Sequence, residues 1–120
     1  MNRRELGTRA EGLALRFLEQ RGLKRLASNF GCRFGEIDLI MQHGDCLAIV
    51  EVRYRGSASF SAPALTVDES KQRKIASATL AFLSGSAKFR DWPIRFDVIA
   101  IECTENRPGA IQWIKDAFRV

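Results

Sequence analysis

A Gly44-Asp45 pair separates two runs that both read as β-strands, residues 35–43 and 46–53. Glycine at the first central position of a two-residue turn matches the twist of the flanking strands, so this pairing predicts a tight hairpin. If His43 faces Cys46, paired positions sum to 89, which sets Asp38 opposite Glu51 and Glu36 opposite Arg53. Strand pleating then predicts all four charged side chains on one face, together with Ile40, Leu47 and Ile49. The other face would carry Ile37, Leu39, Val50 and Val52.

Directly opposed side chains stand about 5 Å apart, and like charges there repel. Asp38 and Glu51 therefore call for compensation. A hard divalent cation is one solution, since Mg²⁺ is held by one or two carboxylates. A splayed, solvated pair is the other, although neither face of the hairpin is plainly polar. Glu36 and Arg53 read as a cross-strand salt bridge.

Asp, a hairpin, then Glu-x-Lys is the signature of PD-(D/E)XK nucleases, and it stands here as Asp38 and Glu51-Val52-Arg53. More closely, residues 35–40 and 50–55 resemble the YraN family, proteins similar to archaeal Holliday-junction resolvases. The resemblance extends over nearly the whole chain, through the helix at 7–14, Lys71-Gln72-Arg73-Lys74, Arg95-Phe96-Asp97-Val98 and the stretch 111–118. In one place the chain departs from the motif: arginine, Arg53, occupies the lysine position.

The resemblance implies a metal-dependent endonuclease acting on DNA, including branched or otherwise structured DNA, with Mg²⁺ or Mn²⁺ as cofactor. It implies Asp38, Glu51 and the Val52 carbonyl as metal ligands, with Glu11 as a third carboxylate. Arg53 and Lys71 complete the catalytic set. A guanidinium stays protonated, so Arg53 is expected to hold phosphate rather than act as a base. The alternative is a non-catalytic nucleic-acid-binding protein that retains the nuclease fold. Resolvase-like relatives act as dimers, which makes a homodimer a further expectation, though no stretch of sequence marks an interface.

At 120 residues and 46% hydrophobic, the chain suits one domain, 1–120, with a single core. No apolar run approaches a membrane span and the first residues lead into no apolar signal core, so a soluble, cytoplasmic protein is expected. Cys32, Cys46 and Cys103 are odd in number and widely spaced, which indicates neither a disulfide framework nor a zinc site. The net charge of +5, mostly from arginine, favours a polyanionic partner.

Along the chain, Leu6, Ala10, Leu13, Ala14, Phe17 and Leu18 form one helical stripe over residues 4–21, closed by Gly22. Glu11 lies at the border of that stripe; periodicity alone reads it as an exposed helix residue. Residues 23–34 read as the first strand, in which Asn29 and Arg33 face either phosphate or solvent. Residues 54–63, with Arg55 and Phe60, read as a loop that either contacts substrate or tucks Phe60 into the core.

Thr66-x-x-Glu69 has the form of a capping box opening a second helix that ends near Ser84. Lys71 lies on its packed line with Ile75, Ala78 and Phe82. Lys71, Gln72, Arg73 and Lys74 form either an anion site at the helix start or a solvated basic turn, Arg73 being the one of the four most readily left to solvent. Residues 94–102 read as a buried strand in which Asp97 is structural, paired with an arginine. A turn at 106–109, a short strand at 111–114 and a brief terminal helix complete the chain. The order is that of an αβββαβ restriction-endonuclease-like core, a mixed sheet flanked by helices.

Overall fold

The computed structural model describes residues 3–56, 66–104 and 107–120. Helix α1 spans Arg3–Glu19, strand β1 Lys24–Cys32, β2 Gly35–His43 and β3 Cys46–Gly56. Helix α2 spans Glu69–Ser84, a 3-10 turn follows at Ala87–Phe89, and β4 (Ile94–Thr104) and β5 (Arg107–Phe118) close the fold. The five strands lie in sequence order in one sheet. β3 and β4 run parallel, joined through α2, and every other pair is antiparallel. This is the mixed α/β architecture of a restriction-endonuclease-like core, with one helix on each face.

The hairpin register is the one the turn demands. His43 pairs with Cys46 and Leu39 with Val50, and Gly44 takes the positive φ of 62° that the first turn position needs. α1 packs Ala10, Ala14 and Leu18 against Leu39, Met41, Ala48, Val50 and Val52 on one face. α2 packs Ile75, Ala78 and Leu83 against Ile40, Leu47 and Ile49 on the other. With both faces covered, β3 and β4 are apolar on both sides, as parallel strands in a layered fold must be.

One expectation about the faces fails, and it fails at Asp38. Ile37 packs on the α2 face, while Leu39 and Met41 pack on the α1 face. The alternation slips by one residue between Ile37 and Leu39. Opposite this slip, between the pairs Ser28 with Leu39 and Phe30 with Ile37, Asn29 adopts a left-handed φ of 51°. Asparagine is among the few residues that take this conformation readily. The β2–β3 pairing ends at Leu39 and Val50, so Asp38 and Glu51 are not a flat cross-strand pair.

Three local expectations are also corrected. The N-cap of α2 is Asp68, whose side chain accepts from the Lys71 N–H at 2.8 Å, rather than Thr66. Residues 107–109 belong to β5 rather than to a turn. No terminal helix forms: β5 continues to Phe118 through an irregularity at Asp116, whose φ is 52°. The cause is tertiary. Buried Asp97 accepts from the Asp116 N–H at 2.9 Å and from Trp113 Nε1 at 3.1 Å, and Phe118 stacks on Phe96, so the chain is held against β4.

An acidic group where the central strands part

The slip at Asp38 turns Glu36 towards α1. Carboxylate oxygens of Glu11, Glu36 and Asp38 lie within 4.8 Å of one another. Asn29 stands beside them. With its amide oriented to satisfy both neighbours, its nitrogen donates to Glu36 Oε1 at 2.9 Å and to the two Glu11 oxygens at 3.2 and 3.3 Å. Its left-handed backbone therefore serves a purpose, aiming a donor between two acids. Asn29 is exposed, as a surface residue would be, and its amide meets carboxylates.

Asp38 is held from the other side. The Val52 N–H donates to its Oδ2 at 2.8 Å. Burial, then the charge of Glu51, pushes its carboxyl up to about 7, with Glu11 adding to the rise and Val52 and Lys71 opposing it. Burial also raises Glu11, opposed by the Asn29 hydrogen bond and reinforced by Glu36 and Glu51. Glu51 stands apart from the trio and pairs with Lys71, whose Nζ is 3.4 Å from Oε1. The second helix thus does aim Lys71 at the hairpin, as its packed line predicts.

Glu36 and Arg53 do not form the predicted salt bridge; among the described residues Arg53 has no ion pair, and its buried Nε has no hydrogen-bond partner. An unsatisfied buried guanidinium nitrogen is rare enough in a folded protein to call for an explanation. Elsewhere, Arg55 donates to its neighbour's carbonyl, Tyr54 O, at 2.8 Å. Gln72 donates to Val67 O at 2.7 Å and so serves the start of α2. The Lys71 N–H is taken by Asp68, which places a carboxylate at the helix start and removes the open anion site expected there. Lys74 and Arg73 are exposed, Arg73 lying 4.0 Å from Glu69. Arg33 is exposed at the β1–β2 turn. Phe60 lies outside the described residues.

Glu36 is the acid that the sequence misassigned. A regular pleat puts it beside Arg53, and only the slip delivers it to Glu11. The positive φ of Asn29, a strand residue, is the local signal of that slip, and asparagine was its one trace in the sequence.

Asp97, on β4 and paired with Val50, is structural as expected. It is fully buried and accepts from Arg95 Nε at 2.8 Å and Nη2 at 2.9 Å. Arg95 Nη2 also meets His43 Nδ1 at 3.0 Å. The three cysteines are free. No helix among the described residues is long and apolar enough to cross a membrane.

Fold and acidic group together define a restriction-endonuclease-like α/β domain with carboxylates gathered where its central strands part. The model of the family described as "Uncharacterised protein family UPF0102" matches residues 10–101. A UPF0102 protein of Saccharophagus degradans is 48% identical, covering 95% of this chain and 92% of its own. Another from Pseudomonas syringae pv. syringae is 40% identical over 97% of this chain and 94% of its own. A third from Psychromonas ingrahamii is 42% identical, covering 94% and 88%. The chain belongs to the UPF0102 family, the YraN proteins that the hairpin motif resembles.

Proposed function

We propose that this protein is a cytoplasmic, metal-dependent endonuclease that hydrolyses phosphodiester bonds in DNA, branched or otherwise structured DNA included. The observation that supports it is Asp38: a half-buried carboxyl raised to about 7, grouped with Glu11 and Glu36 and raised further by the charge of Glu51. The donor set fits a hard divalent cation, being carboxylate oxygen without histidine or thiolate. Asp38 and Glu51, with the Val52 carbonyl and Glu11, would hold Mg²⁺ or Mn²⁺, and Glu36 joins them. When bound, the cation supplies Lewis-acid stabilisation of charge on the phosphate and makes hydroxide available near neutral pH.

The chain's own groups do the rest. Asn29 and the Val52 N–H aim the acids. Arg53 holds a phosphate oxygen through its guanidinium and stabilises charge developing there. Lys71 offsets Glu51 and is the amine placed to hold or pass a proton. Arg33, Arg55, Gln72 and Lys74 flank the group as contacts to the nucleic-acid backbone, with Gln72 and Arg55 turning from their present carbonyl partners.

A non-catalytic nucleic-acid-binding protein is the second reading. It is favoured by Arg53 itself, which cannot take a proton from water. Cleavage of labelled branched, single-stranded and duplex DNA, with Mg²⁺, Mn²⁺ or chelator, separates the two. Metal-dependent cutting that is lost in Asp38→Asn supports the nuclease. Binding of the same DNAs without cutting by either protein supports the binding module. Neither binding nor cutting refutes both.

A further inference from the structure

The β1–β2 turn carries an aromatic side chain that neither the core nor the acidic group uses. Phe34 is 41% exposed, one of four large apolar side chains at the surface of the described residues. The Arg33 guanidinium lies 4.8 Å from its ring centre. The turn is tight, with Cys32 paired to Gly35, so Phe34 is held outward by a hairpin rather than by a flexible loop.

Its position relates it to the acidic group. Glu36, two residues on, supplies one of the three clustered carboxylates. On the other flank the turn meets α2, where a Cβ on Gly35 would stand 3.9 Å from the Lys74 Cβ. One helical turn upstream of Lys74, Lys71 reaches Glu51 at 3.4 Å. Phe34 thus projects from the turn that leads into Glu36 and lies against α2 at Lys74, with Arg33 and Lys74 as exposed cations on it and beside it.

A flat ring with a guanidinium over it, set among phosphate-binding cations, is suited to stacking a nucleobase. A base inside a duplex already has both faces covered. Only an unpaired base has a face to offer.

We propose that Phe34, with Arg33, is a stacking platform for an unpaired nucleotide next to the acidic group. This rests on the nucleic-acid reading above and narrows its substrate class to DNA with an unpaired base beside the phosphate being attacked, as in single strands and splayed arms. Fully paired duplex lacks the group that Phe34 recognises.

The test is fluorescence anisotropy at low salt in Ca²⁺, with the full chain and three labelled probes of one sequence: duplex, splayed-arm and single strand. Phe34→Ala should weaken the splayed-arm and single-strand probes roughly five- to hundred-fold while leaving duplex within about twofold, and Phe34→Trp should restore them. Equal loss on all three probes, or no loss on any, overturns the platform and leaves the nucleic-acid reading standing. No binding of any probe by the wild type overturns both. Phe34 is exposed, so a melting curve matching wild type should confirm that the fold of Phe34→Ala is intact.

Discussion

The backbone N–H of Val52 donates to Asp38 Oδ2 at 2.8 Å, just past Leu39 and Val50, where the pairing of β2 with β3 ends. A side-chain oxygen has taken up a donor that a regular ladder would have used. This anchors the acid at the one point where the two central strands part, and it accounts for the burial that raises its pKa.

That rise makes stability depend on pH. Asp38 titrates at about 7 in the folded chain against 3.8 unfolded, so the folded state binds the proton more tightly. The resulting stabilisation is fully present below pH 3.8 and is lost as pH rises through about 7. Its upper bound is roughly 4 kcal/mol, from 1.36 kcal/mol per pKa unit. Urea midpoints measured in chelator should fall more steeply over this window for wild type than for Asp38→Asn. Parallel curves would show that Asp38 titrates normally. Added Mg²⁺ above pH 7 should recover stability in wild type alone, because the cation binds the folded state.

On the nuclease reading, Arg53 limits the rate. Replacing it with lysine, which can lose its proton when desolvated, should raise single-turnover cleavage by about 10²-fold or more, the scale of a positioned acid-base group. DNA affinity measured in parallel should fall, since lysine lacks the planar fork. Cleavage unchanged in Arg53→Lys would show that the departure from the motif carries no catalytic cost.

Asn29 separates backbone from side chain. Its φ of 51° suits glycine but not alanine. Asn29→Ala should therefore be about 1 to 2 kcal/mol less stable than Asn29→Gly. Both lose the donor shared by Glu11 and Glu36, and both should show the same fall in metal-dependent cleavage. A normal rate in Asn29→Gly would remove the amide from the site's machinery.

Asp97 carries stability alone. Converting it to alanine strands the Arg95 guanidinium, itself largely buried, and frees Trp113 and the Asp116 N–H. Breaking one partner of a buried ion pair costs about 3 to 5 kcal/mol. Thermal unfolding should show that loss, with β5 released first in hydrogen exchange. Protection of β5 equal to that in wild type would mean that Phe118 on Phe96 suffices to hold it.

Much of this molecule follows from local chemistry. The Gly44 turn sets the hairpin register, because only glycine enters that conformation without strain. The stripe from Leu6 to Leu18 and the line through Ile75 and Ala78 give two helices, because apolar residues at helical spacing must share a buried side. Asp38, Glu51 and Lys71 could be named from the chain, since the hairpin and the second helix bring them to one place; Glu11 is named only through the family resemblance, because periodicity alone reads it as exposed.

The remainder was decided by contacts between segments distant in sequence. Pleating is a local rule, and it placed Glu36 beside Arg53; the slip opposite Asn29 instead sends Glu36 to Glu11 and leaves Arg53 without an ion pair among the described residues. Likewise residues 115–118 read locally as helix, yet Asp97 and Phe96 draw them into a strand. By itself the sequence determined the two helices, the central hairpin and its register, and the approach of Lys71 to it. Only the tertiary structure decided where the strand alternation breaks, because the cost of that irregularity is met by hydrogen bonds and packing from other parts of the chain.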